Sequence, residues 1–460
     1  MNGRLSDMAT LLGANLSGSD SDYAGASIDT RRLARGALFF ALPGARVDGH
    51  DFVARAASLG AAGAVVTHEV DSPLPQIVVA DVEAALQQAG AEARRRFGGA
   101  VIGVTGSNGK TTVKQMLAAV LREAGSVLAT EGNLNNHLGV PLTLMRLNDS
   151  INRAVIEMGA SHAGEIAMLA EMAQPQVGVV TNAGLAHIEG FGSREGVARA
   201  KGEMFSSLPD DGTAVINGDD EFAPLWRELA GSRRQLVFAR GKADNVDVFA
   251  SDEALDAGES RFTLHTPTGA AAVTLPLAGS HNVSNALAAA AAASAIDLDA
   301  DLIARALGGM SAVSGRMAVT AGRHGTRIID DSYNANPGSL AAALGWLAQQ
   351  DGTRWAALGD MGELGEIAEE AHRNAGLAAR DAGIERLWVT GELSRLTAEA
   401  FGPGAQWFST HGELIAALET ALSVRRSETT LLIKGSRSAR MDRVADALAA
   451  EQGAKAGASC

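Results

Sequence analysis

Residues Gly103–Thr112 read GVTGSNGKTT, and their types and order suit the binding of a polyphosphate. An apolar run, Val101–Val104, enters the segment. An amphipathic stretch leaves it, with Val113, Met116, Leu117, Val120 and Leu121 at helical spacing and Gly125 as its stop. Gly106 and Gly109 permit a tight turn whose backbone N–H groups point inward, and the following helix adds the positive end of its dipole. Lys110 can reach the outer phosphates of a triphosphate, and the Thr111 hydroxyl can ligate Mg2+. The strict form of such a loop carries glycine six residues before the lysine, where this chain has Val104. The candidate ATP loop is therefore Gly106, Ser107, Asn108, Gly109, Lys110, Thr111 and Thr112.

A metal at such a loop needs an acidic partner at the end of a nearby strand. Glu157 follows the apolar Ala154–Ile156, and Asp330 and Asp331 follow Ile328–Ile329; local sequence does not choose between them. His187 lies just past Val177–Val180, in TNAGLAHIEGFG, where glycines permit a loop tip at the carboxyl edge of a sheet. The chain has six lysines against 33 arginines, so each amine that remains draws attention, because arginine cannot lose its proton. In EGVARAKGEMFSSL, Lys201 falls on the apolar stripe marked by Val197, Met204, Phe205 and Leu208. Periodicity alone favours a lysine that snorkels to solvent. The sharper reading is a buried amine of lowered pKa that reacts with CO2 to give a carbamate, a metal-binding anion.

These side chains need elements to hold them. At about 150 residues per domain, 460 residues suggest three domains. The first, 1–97, holds short apolar runs at 37–42, 64–66 and 76–80 and ends in Arg94-Arg95-Arg96 before Gly98-Gly99. The second, 98–312, alternates strands (101–104, 154–156, 177–180, 214–216) with helical patterns, which predicts a largely parallel sheet around the phosphate loop. Its Ala-rich 286–296 reads as a well-packed helix. The third, 313–460, alternates strands at 327–329, 356–358, 387–389 and 431–433 with helices and reads as a Rossmann-like α/β unit. The fold class is thus α/β in three domains: a small α/β N-terminal unit, a P-loop ATPase unit and a Rossmann-like C-terminal unit.

Composition narrows the function. Aromatics are 4% and the net charge is −14, which argues against a stacking surface or a phosphate-tracking groove for nucleic acid. The longest apolar run, 286–293, is far short of the ~20 residues a membrane span needs, so no membrane insertion is expected. Cys460 is the single cysteine, and no leader is evident; a cytoplasmic monomer is the expectation.

Taken together, the motifs resemble the Mur ligases, ATP-dependent amide-forming enzymes of peptidoglycan synthesis. The resemblance runs through SIDTRRLARGALFFALPGARVDGHDF (27–52), GVTGSNGKTTVK (103–114), EGNLNNHLGVPLTL (131–144), VIEMGA (155–160), NAGLAHIEGFGS (182–193), KGEMF (201–205), GSHNVSNALAA (279–289), SGRM (314–317), DDSYNANP (330–337), GDMGELG (359–365) and KGSR (434–437). GNLNN, DDSYNANP and GDMGELG are similar to the family's D-alanyl-D-alanine-adding branch. The resemblance implies that ATP activates the carboxylate of a UDP-MurNAc-tripeptide as an acyl phosphate, which the amine of D-Ala-D-Ala then attacks. It implies two Mg2+ ions, with Thr111, Glu157, His187 and carbamylated Lys201 as ligands. Asn282 resembles the adenine-reading asparagine, Arg316 the arginine reaching the γ-phosphate, and Asp331 the ribose or interdomain carboxylate. Ser27, Arg31 and Arg46 resemble a uridine-diphosphate pocket. Asn136, Tyr333, Asn334, Asn336 and Lys434 fall where the substrates meet, with Asn133 and Asn135 as alternatives to Asn136. A P-loop switch protein without ligase activity would leave the 27–52 motif unexplained.

Overall fold

The computed structural model describes residues 1–44, 47–185, 188–256, 258–310, 315–424 and 428–450. Arg46, His187 and Cys460 lie outside the described residues. Three sheets carry the chain. The first is five-stranded and joins Leu38–Phe40, Gly63–Val66 and Gln76–Val78 in parallel, flanked by the short strands Asn15–Ser17 and Ala26–Ser27. The helix Val82–Arg96 follows. Asp81 caps it by accepting from the N–H groups of Glu83 and Ala84.

Arg94, near the end of that helix, is buried, and its guanidinium donates to the carbonyls of Ala173 (2.8 Å), Gln174 (2.9 Å) and Phe97 (3.0 Å). One arginine thereby fastens the first unit to the second.

The second sheet has nine strands. Ala100–Thr105 is the third strand from one edge, between Arg153–Glu157 and Val177–Val180, all parallel. Every residue of Val177–Val180 is buried, as expected for a sheet covered on both faces. One face packs on the helices Lys110–Arg122 and Ser280–Ser294, the other on Glu165–Ala173, Arg194–Ser206 and Ala223–Ala230. Ala286–Ala293 are all buried, apart from Leu287 with methyl side chains only, so the helix lies close against the sheet. The sheet is extended by Val248–Leu255, which joins in parallel, and by Ser260–Thr266 and Gly269–Leu275, which follow antiparallel; the alternating β/α pattern does not predict these three. All three are half-exposed; Val248–Leu255 and Ser260–Thr266 are interrupted by polar residues, and Gly269–Leu275 is mostly small residues.

In the third sheet, Arg327–Asp331 pairs in parallel with Thr429–Lys434, which pairs with Thr353–Gly359 and so on to Arg386–Thr390 and Ala405–Phe408. Ala318–Ala321 closes one edge antiparallel. Among the described residues, no helix is long and apolar enough to cross a membrane.

Candidate active site

The parallel strands of the two larger sheets turn their carboxyl ends toward one cleft of about 1110 Å3. Its wall includes Ser107, Asn108, Gly109, Lys110, Thr111, Thr112, Asn136, Glu157 and Asn282 from the second unit. Arg316, Asp331, Tyr333, Asn334, Asn336 and Lys434 come from the third.

The phosphate loop is built by close approach. Gly106 has φ +140°, and a Cβ there would lie 2.0 Å from Thr181 Oγ1. Gly109 caps the helix Lys110–Arg122 at φ 81°, and a Cβ would lie 2.3 Å from Asn285 Oδ1. A side chain at either position would crowd these neighbours on a backbone that already favours glycine. Thr181 Oγ1 donates to Asn108 O (2.6 Å), Asn182 Nδ2 donates to the same carbonyl (3.1 Å), and Asn182 Oδ1 accepts from Asn108 N (2.9 Å). Thr181 and Asn182, at the end of the neighbouring strand, thus brace the loop. Neither residue has a local sequence signal, because the bracing depends on strand pairing. Lys110 Nζ donates to Gly106 O (2.6 Å) and Ser107 O (3.3 Å), curling over the loop. Burial pulls its pKa below the ordinary lysine value, against the charge of Glu157.

The parallel register sets Glu157 opposite Val104, one residue before the end of the strand that feeds the loop. Its Oε1 accepts from Thr111 Oγ1 (3.2 Å) and Asn135 Nδ2 (2.8 Å). Oε2 lies 3.1 Å from Lys114 Nζ in a buried ion pair and otherwise has no hydrogen-bond partner. Burial alone would push the carboxyl up; Lys114, Lys110 and Asn135 together outweigh it and hold the pKa below the usual value. Of the two acidic candidates, Glu157 is therefore the one beside Thr111. Among the described residues no three His, Cys, Asp or Glu side chains gather into a metal cluster. One carboxylate and one hydroxyl fit Mg2+ that completes its shell with phosphate oxygens and water.

The asparagines of 133–136 divide by task. Asn133, Asn135 and Asn136 all line the cleft; Asn135 grips Glu157, whereas Asn136 Oδ1 accepts from Gly139 N (2.9 Å) at the start of the helix Gly139–Leu144. Spacing could not make this division, because Asn135 and Asn136 are adjacent in an irregular loop.

Lys201 lies on Arg194–Ser206 and is 1% exposed, so the snorkelling reading is overturned. Val197, Met204 and Phe205, on the same stripe, are buried with it. Nζ donates to Ala160 O (3.0 Å) and sits 4.9 Å from the centre of the Phe191 ring. Burial, with the charge of Lys110 second, lowers its pKa to about 7 against the opposing pull of Glu165 and Glu203.

From the third unit, Asp331 and Lys434 are register partners in parallel strands. Lys434 Nζ donates to Asp331 Oδ2 (2.5 Å) and Asn334 O (2.9 Å), so the amine proposed for substrate contact is held by its own loop. Arg316 stacks on Tyr333 with Cζ 4.2 Å from the ring centre, and its buried Nε has no hydrogen-bond partner. That N–H is a donor suited to a phosphate oxygen. Asn336 caps the helix Pro337–Ala348 through Oδ1 and gives Nδ2 to Asn108 Oδ1 (2.7 Å), joining the third unit to the phosphate loop.

Asn282 Nδ2 donates to Ala278 O (2.8 Å), and its Oδ1 accepts from Asn285 Nδ2 (3.2 Å). Next to it His281, a lone histidine with no local signal, also lines the cleft. Burial lowers its pKa below the ordinary histidine value, against the pull of Asp331. Ser27 and Arg31 do not line the cleft. Ser27 Oγ donates to Asp29 O (2.9 Å), and the exposed Arg31 forms a fork with Asp29.

Comparison with known proteins agrees with this layout. The model of the Mur ligase family catalytic domain matches residues 22–98, that of the Mur ligase middle domain 104–293, and that of the Mur ligase glutamate ligase domain 315–437. The chain is 42% identical to the UDP-N-acetylmuramoyl-tripeptide–D-alanyl-D-alanine ligase of Escherichia coli, over 96% of this chain and 98% of the relative. It is 38% identical to the Mycobacterium tuberculosis protein of that name, over 92% and 91%. The crystal structure of MurF from Acinetobacter baumannii superposes with a TM-score of 0.90 at 34% identity, covering 97% of this chain and 98% of the other. MurF of Thermotoga maritima, solved in complex with ADP, gives 0.79 at 28% identity, covering 92% and 96%. With relatives this similar over nearly their whole length, and three domain models in the same order, the chain belongs to the Mur ligase family.

Proposed function

We propose that this chain uses ATP to join D-alanyl-D-alanine to the terminal carboxylate of a UDP-MurNAc-tripeptide. The observation that carries the reading is the cleft itself. A phosphate loop with its carboxylate faces Arg316 and Asn336 of another unit, so one space can receive a nucleotide and the group it activates. Near full-length similarity to the ligases that act on these substrates supports the choice of substrate.

The substrate carboxylate attacks the γ-phosphorus and ADP departs, leaving an acyl phosphate. The amine of the dipeptide attacks the acyl carbon, loses a proton, and phosphate leaves as the amide forms. The first step brings two anions together, so the chain's part is charge stabilisation and positioning. The loop N–H groups and Lys110 hold the phosphates, and Arg316 Nε donates to the transferred group. Thr111 and Glu157 would hold a Mg2+ ion, with His187 contributing to a second; such ions screen the repulsion between the two anions. Lys201 as a carbamate would supply a further negative ligand where the free amine supplies none. Asn282 and Asp331 would bind the adenosine, and Ser27, Arg31 and Arg46 the uridine diphosphate. Asn136, Tyr333, Asn334 and Asn336 would face the acceptor side, with Lys434 fixing Asp331 rather than touching substrate. We place the reaction in the cytoplasm and assign it to a monomer.

ADP release with each substrate omitted in turn tests the reading. Release requiring both the UDP-MurNAc-tripeptide and D-Ala-D-Ala is expected. Equal turnover without the muramyl peptide would instead indicate a nucleotide switch, and preference for another amino acceptor a different ligase of the same family.

A further inference from the structure

Lys114 has no part in the roles assigned above, yet it is 3% exposed and its ammonium lies 3.1 Å from Glu157 Oε2. It stands one helical turn beyond Lys110 on the same face of Lys110–Arg122. Unlike Lys110 it does not line the cleft, so its charge acts on Glu157 and not on a bound phosphate. Its other contact is the carbonyl of Gly132 at 3.5 Å, in the loop whose Asn135 holds the second carboxylate oxygen.

The carboxylate is thus fixed from both sides, with Thr111 and Asn135 on one oxygen and Lys114 on the other. A cation this close, in a buried site, offsets much of the carboxylate's charge. A divalent ion then gains little from Glu157 alone and needs the negative phosphates to be held. We propose that Lys114 is a positioning residue that makes divalent-metal binding at Glu157 depend on the nucleotide, by fixing the carboxylate and offsetting its charge. By linkage, the metal and the nucleotide then raise each other's affinity by the same factor. This inference rests on the nucleotide-and-metal reading of the cleft.

The test titrates Mn2+ into the full-length protein, with and without a non-hydrolysable ATP analogue, and follows the free ion by electron paramagnetic resonance. Lys114→Met is expected to bind Mn2+ alone at least about tenfold more tightly than the parent, with a smaller gain on adding the analogue. A purely structural lysine would not tighten metal binding when removed. If thermal melting shows that Lys114→Met is unfolded, the same titration on Lys114→Gln decides, since glutamine is an uncharged, slightly shorter hydrogen-bond donor. Metal-alone affinity no tighter than the parent's in the folded variant overturns the inference. Parent protein that takes up no Mn2+ even with the analogue overturns the nucleotide reading instead.

Discussion

Lys201 offers the most exacting test of the site. Its pKa of about 7 follows from burial on Arg194–Ser206, against an ordinary value of 10.5. At pH 7.5 about three-quarters of such an amine is neutral, compared with about 0.1% of an exposed lysine, a difference of several hundredfold in the reactive form. Neutral amine attacks the carbon of CO2, an N–C bond forms, and one proton passes to solvent. Protein equilibrated with 13C-labelled bicarbonate is expected to show one carbamate resonance by NMR at pH 7.5. That signal should be absent in Lys201→Ala and should fade as the pH drops below about 7 and the amine takes up its proton. Activity of Lys201→Ala should fall by about 100-fold or more and recover in part when a small carboxylic acid fills the vacated space. The same shift affects stability. Between about pH 7 and 10.5 the unfolded chain holds a proton that the folded one has released, so Lys201 makes stability rise with pH across that window. Full activity in Lys201→Arg, which cannot be carbamylated, or no labelled resonance at pH 7.5, would refute the reasoning.

Gly106→Ala places a Cβ 2.0 Å from Thr181 Oγ1 at φ +140°, so calorimetric ATP affinity is expected to fall at least about tenfold while the melt changes less. Asn336→Ala removes both a helix cap and the bond to Asn108; a loss of about 1 kcal/mol in denaturant unfolding is expected. Arg94→Ala leaves three carbonyls without their donor and should cost about 3 kcal/mol by chemical denaturation. Its midpoint should move without a change in ATP affinity.

Much of the molecule was legible from local pattern. The strand, glycine turn and amphipathic helix around Lys110 are consecutive in the chain, so spacing alone specified a phosphate loop. Buried parallel strands are short apolar runs, and those at 101–104, 154–156, 177–180 and 431–433 stood out for that reason. The hairpins of 248–275 did not, because the half-exposed Val248–Leu255 and Ser260–Thr266 carry polar residues that read as loop, and Gly269–Leu275 is too rich in alanine to signal a strand.

What sequence determined by itself was the inventory: a nucleotide loop, a scarce set of lysines, two acidic candidates and an order of three α/β units. Tertiary structure alone decided which of these groups meet. Sheet register put Glu157 rather than Asp331 beside Thr111, packing sealed Lys201 from water, and the loop 131–136 folded back so that Asn135, not its neighbour, grips the carboxylate. The reason is physical. Chemistry depends on distances of a few ångströms between residues far apart in the chain, and on a local dielectric that only the packed core creates.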